Sequence, residues 1–258
     1  MSAPTVDHLS PVTLDELNAE AALQTRVDRK YVLTAGETAG LLAALDPATR
    51  VLEIDGRRAF TYSSTYFDTP DLVTFHQAAR RRRRRYKVRT RTYVDTGSTF
   101  LEVKTRAARG VTVKERCPAD LLTDDLDTDA VEFVDDRLAA ARLAAPPSSV
   151  LDPVLRSHYR RTTLLAPDAR VTLDTALTWQ LAGPHARHDA TADVGDLVVV
   201  ETKAGTAPSS VDRLLWRSGH RPDRISKYAT GLAVLRPDLP DHPWRRLRRE
   251  RLTARPAA

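Results

Sequence analysis

Polar and apolar residues alternate along several short segments of the chain, which is the pattern of β-strands with one buried face. Turn-forming residues, such as the DTGS of residues 95–98, separate neighbouring segments, and such short turns predict antiparallel pairing of successive strands. The pattern predicts about eight strands, at residues 26–33, 60–67, 86–94, 99–106, 111–116, 154–165, 169–175 and 196–203.

Segments with helical start and stop signals lie between and after these strands. Thr34 and Glu37 mark the start of a helix at about 35–45, which the Asp-Pro pair at 46–47 ends. Further helices are predicted at 10–24, 124–144, 208–216 and 226–235. The combination predicts an α+β fold.

The polar face of the predicted strands is charged rather than mixed. A side-chain period of two places each charged set on one face of its strand. One such strand would suit an open sheet whose charged face meets water, but the repetition over six strands favours a closed barrel with a charged interior. The sets are Asp28 and Lys30; Lys87, Arg89 and Arg91; Glu102, Lys104 and Arg106; Lys114 and Arg116; Arg170 and Asp174; and Glu201 and Lys203.

The composition is that of a folded protein with a local site for an anion. The 258 residues are 41% hydrophobic and carry 40 Lys and Arg against 34 Asp and Glu. Nine of the twelve residues at 80–91 are basic, whereas every charged residue at 120–136 is acidic. Basic residues concentrated in one segment indicate a local anion site rather than a DNA-binding surface that covers the protein. A single cysteine excludes an intramolecular disulfide. With no signal peptide or long apolar run visible, we expect a cytoplasmic protein.

Charges that line the inside of a barrel indicate a particular chemistry. Buried like charges are costly unless they are paired, and phosphate oxygens pair well with Arg and Lys. Carboxylates in the same place are ligands for hard divalent cations, which bridge carboxylate and phosphate. The pattern therefore indicates metal-dependent triphosphate chemistry, with the carboxylates supplied by Asp28, Glu102, Asp174 and Glu201.

Nine segments together resemble a known family, the VTC domain. This is the polyphosphate polymerase domain of the vacuolar transporter chaperone complex and its bacterial relatives, within the triphosphate tunnel metalloenzymes that include the CYTH proteins. YFDTPDL and SKY are typical of the VTC branch, and the resemblance spans about residues 24–236. The segments are RVDRKYVL (26–33), SSTYFDTPDL (63–72), RYKVRTRTY (85–93), FLEVKTR (100–106), VKER (113–116), YRRTTL (159–164), RVTLD (170–174), VVVETK (198–203) and ISKYATGL (225–232).

The resemblance implies an eight-stranded, mainly antiparallel closed tunnel barrel with helices packed outside. We expect the tunnel domain at 24–238 to follow an N-terminal helix or extension at 1–23. The basic segment at 239–258 is predicted to be a flexible tail from its position and charge. The arginine run at 80–85 is interpreted either as a funnel for polyanions at the tunnel mouth or as a solvated turn.

The resemblance also implies roles for individual side chains. The residues expected to act in catalysis, by holding the reacting phosphates, are Lys30, Arg89, Arg91, Lys203 and Lys227. Those expected to bind phosphate are Lys104, Lys114, Arg116, Arg161 and Arg170. Glu201 is the expected ligand of Mn²⁺ or Mg²⁺, with Asp28 and Glu102 as further candidates. The superfamily's E-x-E-x-K is replaced here by Arg26, Asp28 and Lys30, which argues against a hydrolase with two metal ions.

The activity implied by the resemblance is metal-dependent transfer of the γ-phosphate of ATP to a polyphosphate chain. Two alternatives stay open: hydrolysis of tripolyphosphate or nucleoside triphosphates in the same tunnel, and a non-catalytic sensor of polyphosphate or nucleotides. Expected ligands are ATP or another triphosphate and inorganic polyphosphate, and a separate membrane partner could hold the protein at the inner face of the membrane. Nucleic acid is disfavoured because base-stacking aromatic residues do not interleave with the basic strands.

Overall fold

Eleven strands form one sheet in this computed structural model, which describes residues 5–21, 27–106, 112–119, 125–186 and 191–252. Eight of the strands follow one another across the sheet in antiparallel pairs. They match the eight segments that alternation predicted, so the α+β class is confirmed. Their spatial order is β2 (Val27–Leu33), β11 (Val198–Ala204), β9 (Ala169–Leu181), β8 (Asp152–Ala166), β4 (Phe60–Asp68), β5 (Arg85–Tyr93), β6 (Ser98–Arg106) and β7 (Thr112–Pro118).

Three further strands were not predicted, because three residues are too few to show an alternation. β1 (Ser10–Val12) pairs in parallel with β3 (Arg50–Leu52), and β10 (Thr191–Asp193) pairs with β9. β1 corrects the helix predicted at 10–24, whose end beyond residue 21 lies outside the described residues. The helix α1 (Leu14–Ala21) begins after β1, because Thr13 and Glu16 form a capping box there.

The eight-strand path does not close on itself. β2 and β7 are its two ends, and within the described ranges no backbone pairing joins them. The sheet curls until the ends approach, and Lys104 Nζ on β6 lies 3.9 Å from Asp28 Oδ2 on β2. The outer edge of β2 is occupied by Asp223, which donates its backbone N–H to the carbonyl of Lys30 and accepts from the N–H of Val32. The predicted closed barrel is therefore corrected to a strongly curled half-barrel, whose edge strand is covered by a loop.

Helices pack on the convex face of the half-barrel, as predicted. α4 (Thr128–Ala140) covers β5 and β6, where Val134 contacts the cluster that includes Val103. α2 (Ala35–Ala43) and α5 (Ser210–Arg217) cover β2, β11 and β9. The buried carboxylate of Asp212 fixes α5 to the sheet, because it accepts hydrogen bonds from the hydroxyls of Tyr31 and Thr202.

The concave face is divided into an apolar end and a charged end. The apolar end is covered by α6 (Lys227–Leu235), with α3 (Val73–Ala79) and α7 (Arg245–Glu250) packed into the same cluster. An irregularity in the pairing of β8 and β9 between His158 and Arg160 brings apolar residues of β9 onto this face. The cluster includes Val32, Tyr66, Leu177, Trp179 and Val199 from the sheet and Tyr228, Ala229 and Leu232 from α6.

Gly231 of α6 packs directly on the indole ring of Trp179, where a Cβ would overlap the ring. Gly231→Ala is therefore expected to lower the free energy of unfolding by about 1–3 kcal/mol, because the buried ring cannot yield without repacking. Gly40 of α2 is the matched control: nothing lies within 4 Å of the position of its added Cβ. Gly40→Ala should raise stability by about 0.5–1 kcal/mol. Urea unfolding measures the free energy of unfolding of both variants. A Gly231→Ala protein as stable as the parent would contradict the close packing of α6 on Trp179.

Residues 241–252 pack against the domain, which corrects the prediction of a flexible tail for this segment. Trp244, Leu247 and Leu252 are buried in the same apolar cluster as α6. Arg251 Nη1 lies 3.1 Å from Glu37 Oε2 of α2. Trp244 and Leu247 lie one helical turn apart, which gives this arginine-rich segment an apolar side. Residues 253–258 lie outside the described part. In the described ranges, every helix is too short or too polar to span a bilayer.

Candidate functional site

The register of the sheet places the predicted site residues on its concave face. Side chains directly opposite each other on neighbouring strands share a face. Glu201 lies opposite Lys30, and Arg89 lies opposite both Tyr66 and Glu102. Extended across all eight strands, the register gives this face Asp28, Lys30, Arg89, Arg91, Glu102, Lys104, Lys114, Arg116, Arg161, Arg170, Asp174, Glu201 and Lys203. Lys227 joins them from the first residue of α6.

Glu201 lies at the centre of one group of charges. Lys30 Nζ is 2.8 Å from Glu201 Oε1, and the carboxylate is buried. Burial acts to raise the pKa of Glu201, but the charges of Lys30, Lys203 and Arg161 outweigh it and hold the pKa well below its usual value. Burial lowers the pKa of Lys203 to about 7, against the opposing charge of Glu201. Glu201 is therefore ionised at neutral pH and faces several cations.

Asp174 joins the sheet to the N-terminus of α6. Its fully buried carboxylate accepts two hydrogen bonds from Arg161, at 2.6 Å from Nε and 2.8 Å from Nη2, and pairs with Lys227 Nζ. Burial acts to raise the pKa of Asp174, but the charges of Arg161 and Lys227 hold it below its usual range. Asp174 thus fixes the positions of two predicted phosphate ligands.

Glu102 forms a third ion cluster, on β6. Arg89 approaches one carboxylate oxygen with Nε at 2.8 Å and Nη2 at 2.5 Å, and Lys114 Nζ lies 2.6 Å from the other. Burial acts to raise the pKa of Glu102, but the charges of Arg89, Arg91 and Lys114 lower it to about 2. The carboxylate of Glu102 is thus enclosed by cations rather than by other carboxylates.

Two further predicted residues lie beside these clusters, Arg116 opposite Glu102 and Arg170 opposite Lys203. The guanidinium of Arg116 stands over the ring of Phe100, at 4.6 Å from its centroid. Arg26 lies outside the described residues. The arginine run has two parts: residues 80–84 form an exposed turn, and Arg85 begins β5 on the charged face.

Lys87 and a set of tyrosines also lie in the site, although the sequence assigned Lys87 no role in it and did not assign the tyrosines to it. The ammonium of Lys87 donates a 3.0 Å hydrogen bond to Ser226 Oγ and lies 5.8 Å and 5.6 Å from the ring centroids of Tyr66 and Tyr228. The ring of Tyr62 lies between two guanidinium groups, at 5.6 Å from Arg91 and 5.3 Å from Arg161. Its parity with Arg89 had already placed Lys87 on the charged face. The tyrosines could not be assigned in this way, because aromatic residues on strands usually belong to the core.

The two most distinctive motifs of the chain meet in one buried hydrogen-bond network. Asp68 of the YFDTPDL motif accepts hydrogen bonds from the backbone N–H groups of Thr74 and Phe75, both at 2.9 Å, at the start of α3. It also accepts a hydrogen bond from the hydroxyl of Tyr228 in the SKY motif. The pair therefore holds α6 in place and so orients Lys227, its neighbour.

Two carboxylates fit a divalent metal ion that binds together with phosphate. Glu201 lies opposite Lys30 and Asp28 lies opposite Lys203, so the two carboxylates are diagonal neighbours on adjacent strands. The described residues contain no group of three or more His, Cys, Asp or Glu side chains that could hold a metal. Mg²⁺ commonly takes one or two carboxylates and completes its shell with water and substrate phosphates, which this pair allows.

Solved structures of known proteins are similar to this chain. An adenylyl cyclase candidate of Hippeastrum with a dominant triphosphatase activity is 15% identical with a TM-score of 0.51, over 80% of this chain and 95% of that chain. An adenylate cyclase candidate of Bacillus halodurans is 14% identical with a TM-score of 0.49, over 79% of this chain and 94% of that chain. The likeness to the Hippeastrum protein, at 15% identity, shows a shared fold.

Within that fold class, the family follows from the sequence. The family model of the VTC domain matches residues 25–236, which is well over half of the chain. The chain belongs to the VTC domain family. No functionally curated protein matches the sequence.

Proposed function

We propose that this protein is a metal-dependent polyphosphate polymerase, which transfers the γ-phosphate of ATP to a polyphosphate chain on the concave face. The observation that carries the proposal is the row of Lys and Arg side chains that the register aligns on one curled face around three ionised carboxylates, Glu102, Asp174 and Glu201. A linear phosphate chain presents charge along its whole length, which complements such a face. Membership of the VTC domain family supports the polymerase.

The residues around Glu201 and Asp174 have complementary tasks in this reaction. Phosphoryl transfer depends mainly on positioning and on stabilising the charge that spreads over the transferred group. Lys30, Lys203 and Arg161 lie around Glu201 and hold the transferred phosphoryl group, while Lys227 is aimed at the same place by Asp174. The phosphates on either side are held by five basic residues of β5 to β7: Arg89, Arg91, Lys104, Lys114 and Arg116.

Asp28 and Glu201 would hold the metal ion, Mn²⁺ or Mg²⁺. When bound, such an ion neutralises negative charge on the phosphoryl oxygens. The ammonium of Lys30 pairs with the carboxylate of Glu201 in this structure. Once a metal ion neutralises that carboxylate, the ammonium can turn to a phosphate oxygen. The acceptor, a chain end that is already ionised, needs no general base.

Hydrolysis of a triphosphate on the same face is the second candidate. One observation favours it: the Hippeastrum protein of the same fold has a dominant triphosphatase activity. The two activities differ in the acceptor, which is water in one and a phosphate chain end in the other.

One assay on the purified protein separates these reactions. The protein is incubated with ATP and Mn²⁺, the products are resolved on a gel stained for polyphosphate, and free phosphate is titrated in parallel. We expect a ladder of long chains. Free phosphate without chains would establish the hydrolase instead, and neither product would refute both activities.

Arg89→Ala is expected to weaken tripolyphosphate binding by about tenfold or more, because a charge-assisted contact is lost. The remaining binding should also be less sensitive to salt. Arg160→Ala, which removes an exposed arginine from the other face of β8, is the matched control. Calorimetric titrations at two salt concentrations measure both variants. Equal affinities of Arg89→Ala and the parent would remove β5 from the binding site.

A further inference from the structure

The first residues of β5 carry like charges directly opposite those of β6. Arg85 lies opposite Arg106, and Lys87 lies opposite Lys104, which in turn lies opposite Lys114 of β7. Like charges directly across a sheet destabilise it. An anion bound between two successive pairs of this kind would therefore relieve their repulsion.

Nearby carboxylates compensate part of this row. Lys104 lies 3.9 Å from Asp28, and Lys114 lies 2.6 Å from Glu102. Arg85, Lys87 and Arg106 have no ion pair with a carboxylate among the described residues. Burial lowers the pKa of Arg85, as does the charge of Arg106. Three basic side chains on the binding face thus lack a negative partner there.

The geometry of these side chains suits an oxyanion. The Nε of Arg106 is buried and has no hydrogen-bond partner in the described part of the chain. The guanidinium of Arg85 is held by a 2.7 Å hydrogen bond from Nη1 to the carbonyl of Arg82, which leaves its other N–H groups for a ligand. The ammonium of Lys87 lies against the stacked rings of Tyr66 and Tyr228. Held and directed donors of this kind are typical of phosphate sites.

Lys87 connects this group to the proposed catalytic centre. It lies two residues before Arg89 on the same face, and its ammonium donates to Ser226, the residue before Lys227. Lys30 is close enough for its charge to lower the pKa of Lys87, which burial already lowers well below the usual value. The basic face therefore continues without interruption from Glu201 to the start of β5.

We propose that Arg85, Lys87 and Arg106 form a second anion subsite, which holds phosphates of a polyphosphate chain beyond those bound around Glu201. The inference rests on the proposed function and adds a determinant of chain length: a tripolyphosphate occupies the centre, whereas a longer chain also reaches Arg85 and Arg106. The exposed arginines at 80–84 lie outside this subsite.

The test compares two double variants that remove the same charge. Arg85→Gln with Arg106→Gln alters the subsite, and Arg83→Gln with Arg84→Gln alters the exposed turn. Calorimetry measures the Kd of tripolyphosphate and of a long-chain sodium polyphosphate for each protein. The ratio of the two Kd values reports on the subsite alone. A long chain can bind through any of its segments, but this statistical advantage is the same for the parent and both variants and cancels when their ratios are compared.

We expect the subsite variant to lose about tenfold or more of the preference for the long chain, as two charge-assisted contacts are removed. The turn variant should keep the preference of the parent. The subsite variant should also be at least as stable as the parent, since a like-charge pair is removed. An unchanged ratio in a folded subsite variant, or an equal loss in both variants, would overturn the subsite. A parent that binds no tripolyphosphate would instead refute the proposed function, so the two failures are distinguishable.

Discussion

Glu201→Gln is expected to reduce metal-dependent turnover of ATP on the order of 10²–10³-fold, the effect of removing one group that stabilises transition-state charge. The side chain is buried, and glutamine has nearly the same shape, so the sheet should remain folded. A neutral amide is a poor ligand for Mn²⁺ or Mg²⁺ and a poor partner for Lys30, which lies 2.8 Å from the carboxylate. The substitution therefore removes the metal and misdirects a phosphate ligand together.

Measurements on Glu201→Gln separate loss of the site from loss of the fold. The Kd of Mn²⁺, titrated in the presence of tripolyphosphate, should rise. The thermal midpoint should fall, because Lys30 loses its counter-ion, but the circular dichroism spectrum should remain that of the folded parent. Glu132→Gln, at an exposed position of α4, removes the same charge and should leave all of these unchanged. If Glu201→Gln kept the turnover and metal dependence of the parent, Glu201 would have no role in the reaction.

Alternation along the chain predicted the sheet and its charged face because the side-chain period of a strand is a local property. Lys30 and Glu201 are 171 positions apart in the chain, yet alternation assigns each to the charged face of its own strand. The register of β2 and β11 then makes the two faces one. The positions of Arg89, Arg91, Lys104 and Lys203 followed in the same way. Parity could not identify which cation pairs with which carboxylate, because that depends on the curl of the sheet.

The features that the sequence did not predict depend on long-range contacts. The opening of the half-barrel depends on Asp223, a loop residue that occupies the hydrogen-bonding edge of β2. The apolar end of the concave face depends on an irregularity in β8–β9 pairing that alternation cannot show. The ordered segment at 241–252 depends on where Trp244 and Leu247 pack, whereas its arginines suggested a solvated tail.

The three buried carboxylates explain how a face with so many cations remains folded without a ligand. Asp174, Glu201 and Glu102 each pair with at least one cation, and each has a pKa below its usual value despite burial. Each pair offsets repulsion within its own part of the face. A bound polyphosphate would also offset the repulsion between these cations. Removing one of the carboxylates should therefore increase the stability that the protein gains from binding the ligand.

Asp174→Asn is expected to lower the free energy of unfolding by about 3 kcal/mol, because removing one partner leaves Arg161 and Lys227 buried without their counter-ion. The charges of Arg161 and Lys227 outweigh burial and lower the pKa of Asp174 in the folded protein. The ionised carboxylate therefore stabilises the fold fully above the pKa of an unfolded aspartate, and this stabilisation is lost as the pH falls and Asp174 is protonated. The deficit of the variant should therefore be present at pH 7 and shrink below about pH 4. Asp196→Asn, at an exposed position, should show neither effect.

A polyanion should partly reverse this deficit, and that response tests the link between the carboxylate and the phosphate site. Tripolyphosphate can supply the negative charge that Arg161 and Lys227 lose, so it should raise the thermal midpoint of Asp174→Asn more than that of the parent. Differential scanning fluorimetry with and without tripolyphosphate measures the two shifts. Equal shifts would mean that the anion binds away from Arg161 and Lys227, because a ligand in contact with them must bind more tightly once Asp174 no longer competes.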